Sequence, residues 1–252
     1  MSLRRALVLD HFYASLPADE FQGLLGLIGP FPHAKHQKVQ TEAGGWEGLY
    51  IYSQSGEYFE ILGDSQTIGL ALSARSIQYR NASLIREEFP WIPWESGIMR
   101  RPNGSPWFEW CSPSSGENQR PALSVWTMRY FNRHEPDTDP PGFKRPSPNI
   151  VRFRHLHVLM GEARFGEIKA ALHAWSPGDH VFGDARCLVR LPMRDGHEFT
   201  IEFERVPGEH ARLQSLAMDM RPDVHLEPRA YGPFVLAQKG ATATLSRRTP
   251  NL

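Results

Sequence analysis

LVLDHFYASLPADEFQGLLGLI, residues 7–28, reads as a strand running straight into a helix. Side chains alternate faces along a strand, so Val8, Phe12 and Ala14 share one side of Leu7–Ser15, and His11, Tyr13 and Ser15 share the other. Pro17 then suits a first helical turn, and Asp19 and Glu20 lie where acidic groups favour the helix dipole. Phe21, Leu24, Leu25 and Ile28 recur at helical spacing as one buried stripe, and Gly29-Pro30 stops it.

Three strands follow, at Lys35–Thr41, Gly48–Ser53 and Glu57–Leu62, with Ser55-Gly56 as the turn between the last two. The order is βαβββ. A looser set of the same kind comes next: Ile68–Ser73, a helical segment Ala82–Phe89, then Gly97–Arg101, Trp107–Cys111 and Leu123–Phe131.

The second half repeats the order. Val151–Met160 is a strand, and Phe165–Ala174 is a helix turning Phe165, Ile168, Leu172 and Trp175 inward. Ala185–Leu191 and Glu198–Val206 pair around Asp195-Gly196, and Leu213–Met220 and two pieces within Phe234–Leu245 complete the set. A slide of 144 positions sets His11 on His155, Phe21 on Phe165 and Glu60 on Glu204; a slide of 146 sets Leu70-Ala71 on Leu216-Ala217. Identities are few, and the repeated order of elements carries the reading of an internal duplication. Glu135–Pro148 holds five prolines in fourteen residues. Proline fixes φ and removes a donor, so 135–149 reads as a connector between halves 1–134 and 150–252, or as a long surface loop within one domain.

Of the 252 residues, 40% are hydrophobic and 22% charged, the composition of a folded chain. The 28 Lys and Arg balance the 28 Asp and Glu. With no basic field, nucleic acid and anionic membrane are not expected partners. Cys111 and Cys187 cannot make a disulfide framework. Both fall within expected strands, where packing is their role. Arg4-Arg5 precedes an apolar run broken by Asp10-His11, with no cleavage site after it, so a cytoplasmic location is expected. There is no P-loop, no G-x-S-x-G and no G-x-G-x-x-G.

A His on a first strand, a helix, and a Glu on a fourth strand after a glycine turn is the pattern of the vicinal oxygen chelate superfamily, which includes glyoxalases, extradiol dioxygenases and antibiotic-resistance proteins. The resemblance lies in Leu9-Asp10-His11-Phe12 and Gly56-Glu57-Tyr58-Phe59-Glu60-Ile61-Leu62. Asp10-His11-Phe12-Tyr13, Trp46-Glu47-Gly48-Leu49-Tyr50, Pro106-Trp107-Phe108 and Trp126-Thr127-Met128-Arg129-Tyr130 further resemble a bacterial family described as glyoxalase-like, of unknown function. The resemblance implies an α+β fold. Tandem βαβββ modules would form curved, mainly antiparallel sheets, with helices on the outer face and a ligand or metal in the hollow.

Alternation agrees with such a cup. Leu49 and Ile51 oppose Tyr50 and Tyr52; Phe59 and Ile61 oppose Tyr58 and Glu60. The polar-aromatic side collects His11, Tyr13, Tyr50, Tyr52, Tyr58 and Glu60, with Trp126 nearby, as a small-molecule site would. A wet outer sheet face gives the same alternation. His11 and Glu60 are metal-type ligands or an acid–base pair. Zn, Fe, Ni or Mn suits such donors, but the second module offers Gly69, Thr127 and Arg129 where further ligands belong. His155, His157, Glu202 and Glu204 give a second inventory, and a shared set of His11, Glu60, His155 and Glu204 is the single-cup version. Without a metal, Arg129 becomes an anion grip or an ion-pair partner of the sheet. The functions this leaves open are a glyoxalase-like enzyme acting on a small oxygen-bearing molecule, a non-catalytic binder, and a partner-binding module using the Trp-rich first half. Related folds are often homodimers.

Overall fold

This computed structural model describes residues 7–29, 34–42, 44–63, 68–74, 85–88, 90–114, 123–131, 149–174, 179–193, 195–209 and 211–248. The first half opens with β1 (Leu7–Leu16), α1 (Ala18–Ile28), β2 (Ala34–Thr41), β3 (Gly44–Tyr52) and β4 (Tyr58–Gly63). It continues with β5 (Ile68–Ala74), α2 (Ile85–Glu88), β6 (Trp94–Arg100), β7 (Pro106–Pro113) and β8 (Leu123–Tyr130). The second half runs β9 (Ile150–Gly161), α3 (Glu162–Ala174), β10 (Asp179–Phe182), β11 (Arg186–Pro192) and β12 (Glu198–Val206). It closes with β13 (Ala211–Met220), β14 (Arg229–Tyr231), β15 (Phe234–Lys239) and β16 (Thr242–Arg247). The connector expected at 135–148, Trp175 and all of the 82–89 helix except 85–88 lie outside the described residues.

Each half builds one eight-stranded sheet. The orders are β2-β3-β4-β1-β5-β8-β7-β6 and β10-β11-β12-β9-β13-β16-β15-β14. In both, the first and last strands of the leading module pair in parallel, and the two modules join antiparallel through β1–β5 and β9–β13. This is the α+β architecture of tandem βαβββ modules. The last module departs from it. Between β13 and β14 the chain runs through Arg221–Pro228 with no helix, and β13 pairs with β16 antiparallel, where β5 pairs with β8 in parallel. A crossover helix reverses the chain once, so its loss inverts the direction of every strand after it.

The turns fall where the sequence put them. Gly56 (φ 93°) and Gly196 (φ 88°) adopt the left-handed conformation at the β3–β4 and β11–β12 hairpins. The slide of 144 is refined by a β-bulge. In the β1–β5 ladder Leu9 pairs with Leu72 and His11 with Ala71, leaving Asp10 extra; in β9–β13 Phe153 pairs with Met218 and His155 with Ala217, leaving Arg154 extra. The two bulged residues are 144 positions apart, and each precedes a histidine. A bulge inverts the alternation beyond it. Leu7 and Leu9, not Val8, therefore join Phe12 and Ala14 in the core cluster, which corrects the unbroken alternation expected for β1.

The two sheets share one core. Phe12 stacks on Phe59 at 4.6 Å and on Phe199 at 4.7 Å, and meets Phe153 edge-on at 5.3 Å. Helix α1 buries Phe21, Gly23, Leu24, Leu27 and Ile28. It touches β4 of its own sheet and β14–β15 of the other, so Leu27 and Gly23 are buried beyond the expected stripe. Gly26 is tight against the Tyr231 ring: a Cβ there would lie 3.1 Å from it. Glu20 and Arg247 clasp each other through two hydrogen bonds, of 2.8 and 2.5 Å. The apolar faces thus meet between the sheets, and the His-bearing faces turn away from this core.

Candidate ligand-binding cup

The outer hollow of the first sheet is a cavity of about 370 Å³. His11 and Tyr13 enter from β1, Tyr50 and Trp46 from β3, and Tyr58, Glu60 and Leu62 from β4. The opposite wall comes from the second module. Trp126, Met128 and Tyr130 alternate along β8, Phe108, Trp110 and Ser112 along β7, and Met99 and Trp107 complete it. The structure thus brings together six of the residues the sequence singled out: His11, Tyr13, Tyr50, Tyr58, Glu60 and Trp126. Tyr52 stands just behind, its ring 5.4 Å from Tyr58 and 6.5 Å from Tyr50.

Glu60 is the one carboxylate in the described lining, and it is buried. Tyr50 donates its hydroxyl to Oε1 at 2.7 Å and Trp46 its indole N–H at 2.9 Å. No hydrogen bond reaches Oε2 among the described residues. Burial holds the carboxyl above its ordinary value of 4.5, against the lowering influence of His11 and the two donors. Burial also pushes the Tyr50 and Tyr58 hydroxyls upward, so both stay protonated. The His11 ring stacks on Tyr58 at 4.4 Å, and its Nδ1 lies 3.1 Å from Oδ1 of buried Asp10. The bulge at Asp10 gives that carboxylate its place beside the ring.

Arg129 does not belong to the cup. It lies between Met128 and Tyr130, which line the cavity, so it takes the other face of β8. There its Nε is 3.4 Å from Glu109 and its guanidinium is 4.9 Å from the centre of the Phe131 ring. Thr127 also faces away and donates to the Cys111 carbonyl at 3.4 Å. The anion grip expected of Arg129 is replaced by the ion-pair alternative. Of the other lining residues, Trp46, Trp107, Phe108, Met128 and Tyr130 enter the sequence analysis only through the resemblance, Trp110 only through the Trp-rich first half, and Met99 not at all. On β8 the signal is the alternation of Trp126, Met128 and Tyr130; Trp46 falls outside the expected strand, because β3 begins four residues earlier than the apolar run suggests.

The matching face of the second sheet carries His155, His157, Glu202 and Glu204. His157 Nε2 is 3.0 Å from Glu204 and His155 Nε2 is 3.4 Å from Glu202. Arg186 spans both carboxylates, at 3.2 and 3.5 Å. One ligand atom each of His157, Glu202 and Glu204 falls within 4.8 Å of the others, a spacing that can hold a metal ion. The shared set of His11, Glu60, His155 and Glu204 is not assembled, because the two pairs leave the common core on opposite sides. Strand register also corrects the pairing of equivalents. Tyr13 pairs with Glu60 and His157 with Glu202, so Glu202, not Glu204, is the counterpart of Glu60.

No family model and no curated protein matches this chain. Among solved structures it is similar to a xylose isomerase-like TIM barrel/4-hydroxyphenylpyruvate dioxygenase fusion protein. That match has 10% identity and a TM-score of 0.41, over 86% of this chain and 37% of the other. It is also similar to a triple mutant of 4-hydroxymandelate synthase from Streptomyces coelicolor. There the identity is 13% and the TM-score 0.40, over 82% of this chain and 70% of the other. The strand order carries the fold assignment. No described helix is long and apolar enough to cross a membrane.

Proposed function

We propose that this chain is a glyoxalase-like binding protein that takes a small, largely apolar organic molecule into the first-half cup. The observation that carries this reading is Glu60. Both of its neighbouring donors act on Oε1, and Oε2 is left to a cavity walled by indoles and phenols. Such a wall supplies contact area at little entropic cost, and one buried acceptor orients what enters. His11 and Glu60 are the only side chains of metal-ligand type in the described lining. Three or four protein ligands are the usual requirement, so this donor set supports binding without a metal in this cup.

The test is quenching of indole fluorescence by small aromatic compounds, beside a Met128→Trp variant that fills the cup. Saturable one-to-one quenching that the variant abolishes, with an unchanged far-ultraviolet spectrum, supports the reading. Quenching that does not saturate, or that survives the variant, overturns it.

A second reading has its own observation, the spacing of His157, Glu202 and Glu204. A divalent ion bound there would supply Lewis-acid chemistry on an oxygen-bearing molecule, with the two carboxylates and His157 Nε2 as ligands. Arg186 already answers both carboxylates, and it must move aside for the ion.

A further inference from the structure

We infer that the first-half cup selects an organic cation, an alkyl- or arylammonium compound whose charged nitrogen sits against Glu60 Oε2. This rests on the reading of the cup as a small-molecule site and narrows the class of molecule. The cavity contains a carboxylate and no lysine or arginine among its described lining residues. The hydrogen-bond donors already on Glu60, Tyr50 and Trp46, are both neutral. The nearest cationic candidate in the wall, His11, is engaged at Nδ1 by the Asp10 carboxylate. The hollow therefore holds at least one negative charge that no described Lys or Arg in its wall balances.

The walls match the same kind of guest. An ammonium group is attracted to the negative face of an aromatic ring, most strongly where water is excluded. Trp46 and Trp107 lie parallel, centroids 6.3 Å apart, across one side of the cavity. Trp126 meets Tyr13 at 5.3 Å on the other. A carboxylate guest would meet Glu60 as a like charge with no guanidinium to receive it, and a neutral guest would bring no counter-charge to it.

The second sheet supplies an internal control. Strand register places Glu202 where the first sheet has Glu60, and there a guanidinium and an imidazole answer the carboxylate. A histidine stands at the matching position in both halves, His11 and His155, so the difference is the guanidinium: Glu202 has Arg186, whereas the hydrogen-bond donors on Glu60 are neutral. The first half leaves the cationic part to the guest.

The experiment compares three probes of one shape on the full chain at neutral pH, read by indole fluorescence: 2-phenylethylammonium, 2-phenylethanol and phenylacetate. The expected result is that the ammonium compound binds at least about tenfold more tightly than the alcohol, with phenylacetate weakest. Glu60→Gln should bring the ammonium compound and the alcohol to within about twofold of each other while the alcohol's own affinity holds. If the alcohol or phenylacetate equals the ammonium compound in the wild-type chain, cation selection is overturned and the cup survives as a binding site. If none of the three saturates, the cup reading falls with it. Should Glu60→Gln lose its fold by circular dichroism, the ranking of the three probes on the wild-type chain decides.

Discussion

The two halves share a frame and differ in what they build on it. Each has a bulge before a histidine on its first strand, at Asp10 and Arg154, and a glutamate on the fourth, Glu60 and Glu202. Around these fixed points, register equates Tyr58 with Thr200, Tyr50 with Leu188, Tyr52 with Arg190 and Leu62 with Glu204. Tyr50, Tyr58 and Leu62 help wall one face into a hollow, whereas Glu202 and Glu204 make the other a face of ion pairs with His155, His157 and Arg186. A βαβββ sheet thus fixes where a His and a Glu stand, while the residues two positions away along the same strands decide whether the Glu meets a guest or an arginine.

The largest effect should come from the core that joins the halves. Phe12 is fully buried against Phe59, Phe153 and Phe199, and the last two belong to the other sheet. Phe12→Ala should cost about 3–5 kcal/mol, through lost transfer energy and the cavity left behind. If the halves fold as one unit, denaturation followed by far-ultraviolet dichroism and by indole fluorescence should shift together. Every cup tryptophan named here is in the first sheet, so a fluorescence transition that moves alone would break the comparison by showing two independent units.

The intermediate effect concerns the second face. Arg186→Gln removes the guanidinium that spans Glu202 and Glu204 and leaves the His157, Glu202 and Glu204 donors in place. The variant should bind zinc at least about tenfold more tightly than the wild-type chain in a chelator competition. Equal affinities would mean that Arg186 does not hold the place of an ion. The Glu60→Gln variant should leave zinc binding unchanged, since the first cup lies on the other side of the core.

Much of this frame was legible in the sequence. Alternation along three strands predicted the tyrosine–glutamate face, and the repeat predicted a second sheet. Other parts depend on distances along the chain that alternation does not carry. Alternation puts Val8 on the core side because nothing in LVLDHFYAS marks Asp10 as the extra residue of a bulge. Counting along the module puts Arg129 in the hollow, whereas the alternation of Trp126, Met128 and Tyr130 along β8 puts it on the opposite face. A constant slide matches Glu204 to Glu60 because it ignores the two residues by which the β1-to-β4 and β9-to-β12 spacings differ, 47 for Tyr13–Glu60 against 45 for His157–Glu202. The antiparallel β13–β16 pair was invisible because the missing helix leaves a segment that reads as an ordinary loop.

The smallest effect has opposite signs in the two halves. Glu60 titrates above 4.5 when folded, so across the window from 4.5 to that raised value the folded chain keeps a proton the unfolded chain has released. Its contribution to stability therefore falls as pH rises through that window and is least favourable above it. Glu60→Gln keeps an acceptor for Tyr50 and Trp46 and removes the charge, so the variant should melt higher than wild type at neutral pH and lose that advantage in acid. Glu202→Gln should do the reverse at neutral pH. It deprives Arg186 and His155 of a counter-charge, at a cost of about 0.2–1 kcal/mol because Arg186 is largely exposed. Melting temperatures of the two variants at neutral and at mildly acidic pH read both signs. Shifts of the same sign at neutral pH would mean that the two carboxylates sit in electrostatically equivalent sites, and the distinction between a cup awaiting a cation and a face that carries its own would be lost.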